Sequence, residues 1–162
     1  MKHFEKTLLI LSSPENVFSY ADNHANFSAH MNQSSWMMGG GRMDTSTDEG
    51  HGQQIGSHIR MTGKVLGISV FLNEVVKDHK PPYLKTWETV GNIRLLVIGH
   101  YRMGFEITPQ NEHSSLRVFI DYDLPTASAW LGRLFGEFYA KWCVNQMANG
   151  VRNHFTAGNH QN

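Results

Sequence analysis

SLRVFIDYDLP, residues 115–125, followed by TASAWLGRLFGEFYAKWCVNQMANGVRNHF, residues 126–155, is the stretch that decides the fold. In its first part Leu116, Val118, Ile120, Tyr122 and Leu124 alternate with Arg117, Phe119, Asp121 and Asp123, the period of a strand with one buried face. Pro125 cannot donate to a sheet ladder and closes the strand. Beyond it Trp130, Leu131, Leu134, Phe135, Phe138, Tyr139, Trp142, Val144 and Met147 crowd one long helical run to about Phe155. A helix of that length with no second one to pack on must lay its apolar side on the sheet. The bulk of its side chains then decides whether sheet and helix close tightly or leave a cavity.

Working back from this stretch, Pro109-Gln110-Asn111-Glu112 is a turn, and residues 94–108 read as the preceding strand. There Leu95, Val97, Tyr101, Met103, Phe105 and Ile107 share one face, and Ile98, His100, Arg102 and Glu106 the other. Gly91-Asn92 reads as a tight hairpin turn from a strand over 83–90. Asp78-His79-Lys80-Pro81-Pro82 is a further turn, and residues 55–65 and 68–77 read as strands on either side of Gly67. Residues 34–47, with Trp36-Met37-Met38 before Gly39-Gly40-Gly41, suggest an irregular strand, and Thr45 to Gln54 a mobile polar loop. At the N-terminus, residues 3–11 form a strand, and Ser13-Pro14-Glu15 starts a helix that carries Val17, Phe18 and Ala21 on one side. A second short helix is expected over Asp22 to Met31. The order is strand, two short helices, about six antiparallel strands and a long helix, an α+β arrangement in one domain with its core over about 3–155.

Several of these segments resemble the SRPBCC superfamily, the START-like or helix-grip proteins. They are Ser12-Ser13-Pro14-Glu15-Asn16-Val17-Phe18, Val75-Val76-Lys77-Asp78-His79-Lys80-Pro81-Pro82-Tyr83, Val118-Phe119-Ile120-Asp121-Tyr122-Asp123-Leu124-Pro125 and the final helix. The polyketide cyclase/dehydrase-like and coenzyme Q-binding-like members are the most similar. The resemblance spans roughly Phe4 to Phe155. It implies a curved antiparallel sheet of about seven strands gripping the C-terminal helix, with an apolar ligand cavity between them.

Composition narrows the function classes. Charged residues make up 17% of 162 residues, below the roughly 25% usual for soluble domains, and the formal net charge is zero. No polybasic run is present, which argues against nucleic acid as a partner. The apolar run Leu8-Leu9-Ile10-Leu11 is too short to span a bilayer, so no stable membrane insertion is expected. With a single cysteine, Cys143, and no export signal, the expected compartment is the cytoplasm. Ten histidines are scattered without ligand spacing, and no phosphate loop, dinucleotide fingerprint or nucleophile elbow occurs, so neither metal nor cofactor is expected.

Strand parity assigns His58, Arg60, His100, Arg102, Arg117 and Asp121 to a solvated face with cross-strand ion pairs. The same parity leaves the inward face sparse in acids and bases, with Tyr101 and Tyr122 as its polar groups and weak candidate general acids. Candidate cavity residues are Trp36, Met38, Trp87, Tyr101, Met103, Tyr122, Phe135, Phe138 and Trp142. The leading reading is a binding or carrier protein for a small hydrophobic ligand, a lipid, isoprenoid or polyketide-like molecule. A cyclase/dehydratase-like enzyme is the alternative. A protein-interaction module, with Trp130, Tyr139 and Met147 exposed on the helix, is a third; the same residues could form a homodimer seam.

Overall fold

A computed structural model describes residues 1–27, 29 and 42–157. Trp36 and Met38 lie outside the described residues, as does most of the irregular segment around them.

The described chain forms β1 (Lys2–Ile10), α1 (Pro14–Asp22), α2 (His24–Phe27), β2 (Arg42–Thr47), β3 (His58–Val65), β4 (Ile68–Lys80), β5 (Leu84–Thr89), β6 (Tyr101–Gln110), β7 (His113–Tyr122) and α3 (Ala129–Ala157). All seven strands pair antiparallel in one unclosed sheet of order β1-β7-β6-β5-β4-β3-β2. The first strand thus pairs with the last, bringing both ends of the sheet sequence beside α3. This is the α+β arrangement expected from the element order, with the helix-grip sheet that the resemblance implies.

Local chemistry sets the elements. Ser13 caps α1, its hydroxyl accepting from the Asn16 N–H at 3.4 Å, and Pro14 occupies the first turn. The side chain of Asn23 accepts from the Ala25 N–H at 3.0 Å and restarts the chain into α2. Val17, Phe18 and Ala21 are buried on the sheet, as the spacing predicts.

The inward faces of β6 and β7, Met103, Phe105 and Ile107 against Leu116, Val118, Ile120 and Tyr122, form the main core with Ala140, Val144, Ala148 and Val151 of α3. A second cluster, Met43, Ile59, Met61, Val70, Leu72 and Val76, covers the far end of the sheet. The outer face carries the expected ion pairs. Arg117 bridges Glu5 at 2.6 Å and Glu106 at 2.7 Å, His3 meets Asp121 at 2.7 Å, and Arg102 reaches Asp78 at 3.3 Å.

Four expectations are corrected. Residues 91–100 do not form a tight hairpin and a strand start. The chain makes one isolated bridge, Phe71 with Arg94, and rejoins the sheet only at Tyr101. Ile98, assigned to the outer face, is buried, because the run Leu95–Ile98 passes beneath α3 rather than along the ladder. The segment 45–54 is partly strand β2, and the turn after it is pinned by Asp48. That carboxylate accepts from the His58 N–H at 2.7 Å, the Gly50 N–H at 3.0 Å and the Ser57 hydroxyl at 2.5 Å. Met147 is buried in the core and cannot join an exposed patch.

The face of α3 that meets the body of the protein is also not its bulkiest. Gly132, Gly136, Ala140, Cys143, Val144, Met147, Ala148 and Val151 are buried, whereas Phe135 and Phe138 remain 50% and 53% exposed. A methyl group on Gly136 would stand 2.7 Å from the Val97 carbonyl oxygen, and one on Gly132 would stand 2.4 Å from Pro125. Only glycine permits that approach of helix and loop.

Candidate functional site

Because the 93–98 segment leaves the ladder, a space opens between it, the tip of the β3–β4 hairpin and the N-terminal half of α3. The cavity measures about 700 Å³. Its lining is Val65, Leu66 and Val70 from the hairpin, Leu95 to Ile98 from the loop, Leu131, Leu134, Phe135, Phe138 and Tyr139 from α3, and Met43. Among the described lining residues only Tyr139 brings a side-chain nitrogen or oxygen. Its loop wall is fixed by the Ser128 hydroxyl, which donates to the Leu96 carbonyl at 2.7 Å.

At the mouth, Leu66, Leu134, Phe135 and Phe138 are exposed. Leu66 sits at φ 52°, in the left-handed region, followed by Gly67 at φ 76°. That conformation costs a branched residue about 1–2 kcal/mol relative to its ordinary backbone, and Asn or Gly would hold it more cheaply. A large apolar side chain is nonetheless placed there, facing the cavity.

Deeper, a pocket of about 30 Å³ adjoins the first, sharing Leu95, Ile98 and Tyr139 with it. Its walls include Glu74 from β4, Trp87 from β5, Tyr101 and Met103 from β6, His24 from α2, and Cys143 and Met147 from α3. Glu74 follows Val70 and Leu72 on the inward face of β4 and is 1% exposed. The Tyr101 hydroxyl donates to Glu74 Oε1. His24 Nε2 lies 4.0 Å from Oε2. The Trp87 indole N–H lies close enough to favour the ionised carboxylate, but neither it nor Oε2 has a partner of good hydrogen-bond geometry.

Burial pushes the Glu74 carboxyl up to about 7, against the opposing pull of Tyr101, Trp87 and the Lys85 charge. Burial, then the neighbouring Glu74 charge, holds the Tyr101 hydroxyl well above its ordinary range. Cys143 is pushed up to about 12 by burial and is an inert thiol at neutral pH.

Behind this floor, Lys85 is buried and its ammonium donates to the Asp22 carboxylate and the Asp22 carbonyl, each at 2.7 Å. His79 meets the same carboxylate at 3.0 Å. A register shift between Val76 and Asp78 makes this possible. It turns His79 inward toward Asp22 and sends Asp78 outward to the Thr86 hydroxyl at 2.6 Å.

The structure therefore distributes the expected site residues over two compartments. Phe135 and Phe138 line the outer cavity; Trp87, Tyr101 and Met103 line the inner pocket. Tyr122 is buried against Gly136 in the core, and Trp142 packs on the second hydrophobic cluster; neither is among the described residues that line these two pockets. Sequence reasoning missed Glu74, although an acid in the alternating series Val70, Leu72, Glu74, Val76 was its visible signal. It also missed the wall Leu95–Ile98, whose unbroken apolar run lacks the alternation of a half-buried strand. Among the described residues no group of three or more His, Cys, Asp or Glu side chains is placed to hold a metal ion. No described helix is long and apolar enough to cross a membrane.

No protein-family model and no curated protein sequence matches the chain. Solved structures do. The Zhui aromatase/cyclase from Streptomyces aligns with a TM-score of 0.70 at 13% identity, over 96% of this chain and 93% of that one. TTHA0849 from Thermus thermophilus aligns with a TM-score of 0.68 at 13% identity, over 97% and 99%. Norcoclaurine synthase from Thalictrum flavum, solved in complex with dopamine and hydroxybenzaldehyde, aligns with a TM-score of 0.66 at 13% identity, over 99% and 88%. At such identities the likeness is one of fold, a seven-stranded antiparallel sheet with a long C-terminal helix, the helix-grip arrangement.

Proposed function

We propose that this protein binds a small, mainly apolar molecule in the cavity between the 93–98 loop, the β3–β4 hairpin and the first half of α3. The observation that carries this reading is the cavity itself: about 700 Å³, walled almost wholly by aliphatic and aromatic side chains. Such a volume lies within the range of small-molecule sites, and burying apolar ligand surface there contributes roughly 25 cal/mol per Å². The strained, exposed Leu66 at the mouth supports it, since folding alone favours a different residue there.

Binding of the apolar fluorophore Nile red tests the proposal. The wild type should enhance its emission saturably. Leu131→Trp, which extends a half-buried wall residue into the cavity, should weaken binding about tenfold or more while leaving the far-UV circular dichroism unchanged. Undiminished binding in that variant would place the dye elsewhere and sink the proposal.

A second reading has one observation in its favour. Glu74, titrating near neutrality and paired with Tyr101, is suited to moving a proton to or from a bound molecule. Acid–base chemistry of a cyclase/dehydratase kind would use that pair, and turnover lost in Glu74→Gln with ligand binding retained would support it.

A further inference from the structure

The inner pocket gives the ligand a second chemical requirement, which rests on the cavity reading above. Its volume of about 30 Å³ suits one small polar group. It meets there two fully buried atoms of opposite character: Oε2 of Glu74, an acceptor, and Nε1 of Trp87, a donor, neither holding a well-formed hydrogen bond. Buried polar groups left in that condition are costly, so a partner for both is strongly favoured.

We propose that the inner pocket is the subsite for a terminal hydroxyl, so that the ligand is an apolar alcohol whose O–H donates to Glu74 Oε2 while its oxygen accepts from the Trp87 indole N–H. The chemistry of the alternatives selects this group. An ammonium only donates and leaves Trp87 without an acceptor. A carboxylate meets the Glu74 charge with its own. A carbonyl only accepts, and needs Glu74 to keep its proton. Burial raises the Glu74 carboxyl, but its polar neighbours all pull toward the ionised form: Tyr101 of β6 donates to it, Trp87 lies beside it, and the Lys85 charge of β5 acts on it. Among the described residues, His24 of α2 and Tyr139 and Cys143 of α3 are the other ionisable groups that line the pocket around it. One more donor, supplied by the ligand, completes the set that stabilises the carboxylate. The rest of the molecule then extends past Leu95, Ile98 and Tyr139 into the outer cavity.

The proposal carries a direction with pH. A hydroxyl donating to Glu74 favours its charged form, so binding releases a proton and affinity rises through neutrality. A carbonyl ligand would show the reverse.

The test compares n-decanol with decyl methyl ether, which keeps the oxygen and removes the donor. Both are measured by displacement of Nile red from the full-length protein. At about pH 8 the alcohol should bind at least about tenfold tighter, because a site built around a hydroxyl discriminates strongly against an analogue lacking it. The preference should widen from about pH 6 to about pH 8. In Glu74→Leu it should fall to within about twofold. Trp87→Phe, which keeps the carboxyl and the aromatic packing, should lower decanol affinity about threefold or more and serves if the first variant does not fold. Equal binding of the two probes to the wild type, a preference unchanged by either substitution, or a preference that narrows as pH rises would each overturn the hydroxyl assignment and leave the cavity reading standing. Failure of both probes and of Nile red to bind would overturn the cavity reading itself.

Discussion

Glu74 shows how much one residue can change the character of an otherwise greasy site. Its folded-state carboxyl holds its proton to about 7, against 4.5 for the ordinary group. Between those values the folded protein binds more protons than the unfolded chain. The stability that goes with the protonated form is therefore fully present below about pH 4.5, and is lost as pH rises through about 7. The whole effect amounts to about 3 kcal/mol at 1.36 kcal/mol per pKa unit. Glu74→Gln removes the titration, so the stability of the variant relative to wild type should improve by about that amount between about pH 4.5 and pH 8. Urea denaturation at the two pH values measures it; a difference independent of pH would show that Glu74 is not desolvated as described. The residue was legible in sequence as an acid within Val70, Leu72, Glu74, Val76. Its partners were not, because Tyr101, Trp87 and His24 reach it from three other elements.

Among the elements, α3 was the easiest to find and the hardest to orient. Its large residues suggested the buried side, yet the side pressed on the loop and sheet is the stripe Gly132, Gly136, Ala140, Val144 and Ala148. Small residues let the backbone approach the Val97 carbonyl, and the aromatic residues beside the stripe become walls and mouth of the cavity. Two glycines of this helix should therefore respond oppositely to alanine. Gly136→Ala places its methyl group 2.7 Å from the Val97 oxygen and should destabilise by about 1–3 kcal/mol. At Gly150 nothing stands within 4 Å, and alanine should stabilise by up to about 1 kcal/mol through helix propensity alone. Chemical denaturation of the two variants decides it; a similar response from both would mean that the helix is not in close contact at Gly136.

Across the whole molecule, stability should be divided along α3. Its C-terminal half is seated on β1 and β7 through Val144, Ala148 and Val151, with the Lys6 ammonium donating to Asn149 at 3.3 Å. Its N-terminal half spans the cavity and touches mainly the 93–98 loop. Hydrogen exchange should accordingly be faster over 129–139 and 93–98 than over 140–155 and β7, since local opening follows the density of buried contacts. Uniform protection along the helix would contradict this division. What the sequence determined by itself was the list of elements, their antiparallel order and the polar outer face, because these follow from local periodicity, caps and turns. The tertiary structure alone decided where the chain leaves the sheet at 91–100, which side of α3 is buried, and which groups meet Glu74 at the cavity floor. Those three depend on how closely backbone meets backbone and on which distant residues share a space of a few ångströms, and no local pattern encodes either.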